Sequence, residues 1–353
     1  MKFYDLLQLS TKNLKEKIDS SAQKEKKRYW KALIVKDILC VAFAILFIVV
    51  MNMIFGEKNS SFAVVIFCIL LGIRFVDFDY KLSTSIINLF ICFVLIILGP
   101  YLNTILNPFF SFGINLIFLM TILIMTCEKP AYGNSSLYVF GYILLFGSPV
   151  MGHDMTMRIF EMIFGFFICA FILYIKNKNK EYKKSFKDIT KSFSIKNKKT
   201  IWQLKLAIGI SLGILIGNLL DLERIMWMGI AIMSVLTPYY DTPHERIKER
   251  IIGVVIGSFA FFIIYSVLPN SFVSLIGPIS GLCLGLCASY KWSSILNCFG
   301  ALLLVSSIYG GYGATLLRIK NNILGCIFAL IFYYICEKLL NSEKYQNYVN
   351  ENA

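Results

Sequence analysis

The stretch "HERIKERIIGVVIGSFAFFIIY", residues 244–265, sets Arg246 and Arg250 one helical turn apart at the threshold of an apolar run. A guanidinium keeps its charge and presents a planar fork of donors suited to a carboxylate. Asp241, His244 and Glu245 stand close by in sequence, and an imidazole is a natural proton carrier near neutral pH. One reading is therefore an anion-binding cation beside a proton-exchanging group. The other is a set of basic side chains that mark the cytoplasmic end of a span and hold lipid phosphate. Arg158 and Arg318 each open a later apolar run. Snorkelling to headgroups competes there with an ion pair or an anion-attracting ring. Asp154 and Glu161 lie near Arg158 as counter-ions, whereas Arg318 has only Lys320 nearby in sequence. In "GIRFVDFDYK" (72–81), Asp77 and Asp79 either lend a carboxylate for proton exchange or pair with Arg74.

All these residues sit at the ends of apolar runs. Hydrophobic residues make up 57% of the 353 and charged ones only 16%, against roughly 25% charged in a soluble domain. A bilayer core of about 30 Å asks for about 20 helical residues. Apolar runs fall near 37–55, 61–75, 85–106, 110–127, 136–150 and 157–175, then near 203–220, 226–238, 251–267, 271–288, 292–309 and 319–336. The expected fold class is thus all-α: a polytopic membrane protein with about 12 transmembrane helices. The runs 61–75 and 226–238 are short and read as tilted, broken or re-entrant.

The net charge of +14 is confined to two places. Residues 1–36 carry ten Lys/Arg against four acids, and residues 176–200 carry ten Lys against two; the two excesses account for the whole net charge. Under the positive-inside rule both segments are cytoplasmic, so the number of crossings between them is even, which six satisfies, and both termini lie inside. This organisation is a basic N-terminal segment (1–36), a first membrane half (37–175), a basic linker (176–202), a second membrane half (203–338) and a polar tail (339–353). About 36 largely polar residues before the first run exclude a secretory signal there.

The halves resemble copies. "MRIFEMIFGFFICAFILYI" (157–175) lies over "LRIKNNILGCIFALIFYYI" (317–335) at a shift of 160 residues, pairing Arg158 with Arg318, Gly165 with Gly325 and Tyr174 with Tyr334. "KDILCVAFAILF" (36–47) lies over "KLAIGISLGILI" (205–216). Two parallel six-helix repeats follow, an arrangement common in transporters. In the second half Gly209, Gly213 and Gly217 are spaced by four, as are Gly253 and Gly257, and Gly277, Gly281 and Gly285. Such seams let helix backbones approach closely in lipid, in a central bundle or a subunit interface; the alternative is flexibility. "YGGYGA" (309–314) reads as an outer loop or a broken helix.

"WMGIAIMSVLTPYYDTPHERIKERIIGVVIG" (227–257) resembles the signature region of the fusaric acid resistance and aromatic acid exporter superfamily. Leu236 and Thr237, then Arg250, Ile251, Ile252, Gly253 and Gly257 carry the likeness, and Val254 stands where the family usually has threonine. "RIKNNILG" (318–325) is similar to the family's second element. The motif proper occupies 226–257 and the likeness most of 200–340, more faintly 30–175 through the repeat. It implies a secondary transporter of the plasma (inner) membrane, with proton-coupled efflux of small organic, aromatic carboxylates. Arg250, with Arg246, Arg318 or Arg158, would attract the anion; Asp241, His244 or Asp77 would exchange the proton. The implied partners are the lipid bilayer, a small organic anion and a second copy in a homodimer, with no nucleic acid. Distant plant malate channels carry the same resemblance, so a passive anion channel is the alternative.

An enzyme acting on lipid or envelope precursors is the third reading, resting on scattered groups such as His153 with Asp154. Phosphate-loop, Gly-x-Ser-x-Gly and His-Glu-x-x-His motifs are absent from the sequence. Ten cysteines without metal or disulfide spacing, and only two histidines, call for no metal and no cofactor.

Overall fold

A computed structural model describes residues 3–182, 184–191, 193–194, 197–238 and 243–340. Among these the chain is all-helical, 83% helix with no strand. In chain order the helices are α1 Phe3–Leu7, α2 Thr11–Ser20, α3 Gln23–Phe55, α4 Ser60–Ile73, α5 Leu82–Ile105, α6 Pro108–Thr126, α7 Ser135–Leu145 and α8 His153–Asn177. There follow α9 Phe186–Lys191, α10 Lys198–Leu219, α11 Met226–Val235, α12 His244–Val267, α13 Asn270–Val273, α14 Ile276–Gly285 and α15 Tyr290–Leu340.

Each of the twelve apolar runs falls largely on helix. Among the described residues, however, only seven helices are long and apolar enough to cross a membrane: α3, α5, α6, α8, α10, α12 and α15. The last holds two of the runs. At Gly310 its backbone turns to φ 66° and ψ 168°, a left-handed value open to glycine at little cost. Arg318 beyond the break donates to Asn297 O before it, so the two limbs run antiparallel. The remaining runs form the shorter α4, α7, α11 and the α13–α14 pair. α7 stops at Leu145, earlier than the run 136–150 suggests, because "FGSP" follows: proline removes a donor and biases the residue before it away from helix. α11 ends just before "LTP" for the same reason.

The helices gather into two compact units, Met1–Phe47 with Glu245–Asn322, and Ile48–His244 with Ile323–Ala353. These limits differ from those of the two sequence halves. In the first unit, Leu6, Leu14 and Ile18 of the N-terminal helices bury against Ala32 and Leu33 of α3. The Lys36 ammonium donates to Leu9 O. The basic N-terminal segment is therefore folded down onto α3.

In the second unit α5 packs on α6, α7 and α8, and α4 packs on α7 and α8. There too, α10 packs on α6 and α11, and α11 on α7. Helix ends inside such a bundle need partners for their orphan carbonyls. Side-chain amides and rings supply them. Asn88 donates to Met125 O at 2.9 Å, Asn134 to Thr126 O at 2.7 Å and Gln203 to Leu123 O at 3.0 Å, all at the end of α6. The Trp202 indole caps Leu236 O after α11, and Arg224 caps Gly147 O after α7. Those two caps let short helices end within protein.

Candidate functional site

α12 begins with six charged or ionisable side chains in "HERIKER" and turns apolar at Ile251. Gly253 and Gly257 then bring it against the first limb of α15. A Cβ on Gly253 would stand 2.7 Å from Ser294 Cβ. One on Gly257 would run into Ile295 O and stand 2.9 Å from Ile295 Cα. Backbone-to-backbone contact at these two turns places Arg250, one turn earlier, beside Tyr290 at the start of α15 and Asn322 on its second limb.

Arg250 is 7% exposed. Its Nε and Nη2 donate to Asn322 Oδ1 at 3.2 and 2.8 Å, and its Nη1 donates to Tyr290 Oη at 3.1 Å. Among the described residues these partners are all neutral, so no carboxylate meets this buried cation. Arg246 lies over the Tyr290 ring, 3.3 Å from its centroid, a cation–π contact. Asn322 Nδ2 in turn donates to Arg318 O at 2.9 Å. The Arg318 guanidinium donates to Cys298 Sγ at 3.3 Å and to Asn297 O at 3.4 Å, and the residue is 7% exposed. Within the first unit the structure thus joins three of the four arginines singled out in sequence through Tyr290 and Asn322. Neither of those two connecting residues stands out in the sequence pattern. The signal for Asn322 is an amide one helical turn after an arginine in an apolar run.

Arg158 lies in the second unit. Only 2% exposed, it does not reach out to headgroups. It donates to Asn59 Oδ1, Ser148 O and Lys58 O at 2.9, 2.8 and 3.1 Å. Asp154 pairs with Lys58 at 2.8 Å. Glu161 is completely buried.

The proton-exchange candidates are placed as follows. Asp241 lies outside the described residues. His244, at the start of α12, shares a hydrogen bond with Tyr334 Oη at 2.5 Å. Asp77 accepts from Lys180 at 2.9 Å, from the Tyr182 hydroxyl and from Asp79 N at 3.0 Å. Asp79 pairs with Lys129 at 2.9 Å. Nearby, Glu128 accepts from Lys184 and Lys199, each at 2.6 Å, and from Tyr80 at 3.0 Å. Burial alone raises the pKa of Asp77 and Glu128, but the hydrogen bonds and lysines outweigh it and hold both below their ordinary values. Burial, then the neighbouring carboxylates, push the Tyr80 and Tyr182 phenols up. These loops and the basic linker form an ion-pair clasp.

The remaining glycines also face neighbours. Gly209 meets Leu236 and Phe332, Gly213 meets Ile232, and Gly217 meets Ile225, a seam of α10 against α11 and the end of α15. In α14, Gly277 meets Leu303, Gly281 meets Val41, and Gly285 abuts the Asp37 carboxyl. The structure also holds a buried polar chain that no sequence pattern marks. Tyr142 Oη donates to Asn115 Oδ1 at 2.6 Å, Asn115 to Ser111 Oγ at 3.3 Å, and Ser111 and Asn218 both to Asn103 Oδ1. No group of His, Cys, Asp and Glu suited to a metal occurs among the described residues.

A comparison with family models matches residues 212–332 to the family described as fusaric acid resistance protein-like. Comparisons with curated proteins and with solved structures return no match. The matched stretch contains Arg246, Arg250, Gly253, Gly257, Tyr290, Arg318 and Asn322, the whole of the arginine cluster. Residues 212–332, which contain the candidate site, are thus similar to the family described as fusaric acid resistance protein-like.

Proposed function

We propose that the protein is a secondary transporter of the plasma membrane that exports small organic carboxylates, aromatic ones among them, with proton coupling. The family suggests a membrane transporter or resistance protein, and seven helices have the length and composition to cross a bilayer. One observation carries the finer reading: Arg250 is a buried cation whose hydrogen-bond partners, Asn322 and Tyr290, bring no negative charge. An uncompensated charge removed from water is costly. A substrate carboxylate supplies the missing charge and takes the bidentate place now held by one amide oxygen. Arg246 and Arg318 add to the positive potential.

In this reading twelve crossings form two parallel repeats, both termini face the cytoplasm, and the working form is a homodimer. His244, Asp241 and Asp77 remain as proton-exchange candidates, although the hydrogen bonds on Asp77 give it a structural role first.

The test is flux of radiolabelled benzoate and phthalate in proteoliposomes under imposed pH gradients. Export driven by the proton gradient, abolished by Arg250→Gln with membrane insertion intact, supports the reading. Unaltered flux in that variant returns Arg250 to a structural role. Flux that follows membrane potential and ignores the proton gradient makes the protein a channel.

A further inference from the structure

α8 carries a second buried ionisable group that the arginine cluster does not use. Glu161 is 0% exposed, and neither of its carboxyl oxygens has a hydrogen-bond partner among the described residues. Its electrostatic partner is Arg158, three residues earlier on the same helix face. Yet each guanidinium nitrogen of Arg158 donates elsewhere, Nε to Asn59 Oδ1, Nη1 to Ser148 O and Nη2 to Lys58 O. Arg158 is thus fixed by neutral acceptors, and the carboxyl is set beside it without a bond.

The surroundings supply little else. α4 and α5, which pack on α8, contain no Asp, Glu, Lys, Arg or His; their titratable groups are Cys68, Cys92 and Tyr101. The short turn Glu57–Asn59 brings Glu57 and Lys58, and Lys58 is exposed and paired with Asp154. On α8 itself the others are His153, Asp154, Cys169, Tyr174 and Lys176. Glu161 lies eight residues beyond His153, about 12 Å along the axis of a helix long and apolar enough to cross a membrane. At the position 160 residues on, the second half has Asn321, equally buried but unable to take up a proton.

Ionisable side chains at membrane depth are rare and serve as ion or proton relays. We propose that Glu161 is the residue that takes up and releases the coupling proton, a deepening that rests on the transport reading above. The step is a plain acid–base exchange. A lone pair on a carboxylate oxygen forms an O–H bond with a proton from one side of the membrane, and the bond breaks to release it to the other. No existing hydrogen bond to the carboxyl has to be broken. The Arg158–Glu161 pair alternates between net zero and net plus one, and that change of charge inside the bilayer is what the transport cycle senses.

The experiment compares wild type, Glu161→Gln and Glu161→Asp in proteoliposomes, reading two fluxes of radiolabelled phthalate. Gradient-driven flux should be lost in E161Q and partly restored in E161D, while exchange of internal for external phthalate persists in E161Q. Gradient-driven flux in E161Q equal to wild type overturns the proposal. Infrared difference spectra of the wild type with carbon-13-labelled glutamate provide a measure that survives misfolding of the variant. A titrating carboxylic-acid band from a glutamate shielded from solvent exchange supports the assignment, and its absence overturns it. Wild type carrying no anion under any gradient would defeat the transport reading, and with it the coupling role, whereas the infrared titration reports on the carboxyl alone.

Discussion

Arg250 and Asn322 meet at a single oxygen, Asn322 Oδ1, which accepts from both Nε at 3.2 Å and Nη2 at 2.8 Å. The amide occupies the place of a carboxylate oxygen without its charge, so among the described residues the guanidinium is bonded by neutral groups.

Replacing that amide separates bonding from charge. Asn322→Asp installs an internal counter-ion, so anion flux should fall sharply while thermal stability holds or rises. Asn322→Leu removes the acceptor and strands a buried cation, and should destabilise by about 1.5–3 kcal/mol, the scale of a hydrogen bond to a charged group. Proteoliposome flux and thermal unfolding in detergent read the two effects.

Tyr290 serves Arg250 through its hydroxyl and Arg246 through its ring. Tyr290→Phe keeps the ring and should weaken phthalate binding only modestly. Tyr290→Leu loses both contacts, with a further cost of roughly 0.5–2 kcal/mol for the cation–π pair. Equal effects of the two substitutions on affinity would show that the stacked Arg246 is a bystander.

Gly257 faces backbone, not a movable side chain, at Ile295. Gly257→Ala should therefore cost about 1–3 kcal/mol from overpacking, seen as a lower unfolding temperature. Gly300, on the same limb of α15, has open space where a methyl group would stand, with nothing within 4 Å. Gly300→Ala should be neutral or stabilising by up to about 1 kcal/mol.

The clasp at Asp77 and Glu128 should respond to acid. Burial raises both carboxyls, but the tyrosine and lysine bonds more than offset it and lower them from 3.8 and 4.5 respectively. A lowered folded value means the stabilisation is complete above those ordinary values and is lost as pH falls through the lower ones. Hydrogen exchange over residues 178–182, corrected for its intrinsic pH dependence, should accelerate only below about pH 4. Asp77→Asn with Glu128→Gln should produce the same loosening at neutral pH.

The helices were legible because an apolar run of membrane length has few other solutions, and the break at Gly310 was legible in "YGGYGA". Arg250 stood out because a cation one turn before two spaced glycines lies on the same helix face as they do. Its partners did not stand out. Asn322 and Tyr290 lie 72 and 40 residues away, and an amide or phenol in an apolar helix carries no mark of what it meets. Glu161 reads in sequence only as a counter-ion to Arg158, because spacing cannot show that the arginine's donors are turned toward Asn59 and two carbonyls. The early end of α7 was not read from the run 136–150, because its apolar residues continue past Leu145 although "FGSP" breaks the helix there.

α3 has 33 residues, about 50 Å of rod, yet its uncharged stretch after Asp37 measures only about 27 Å, close to the hydrocarbon thickness. The surplus, from Gln23 to Lys36, is a charged extension of the apolar rod, with α1 and α2 packed on it through Ala32 and Leu33. In the cytoplasmic orientation proposed above, Lys26, Lys27, Arg28, Lys31 and Lys36 would stand at a fixed height over anionic lipid, and a thinner or thicker membrane would move them through the surface potential as one body.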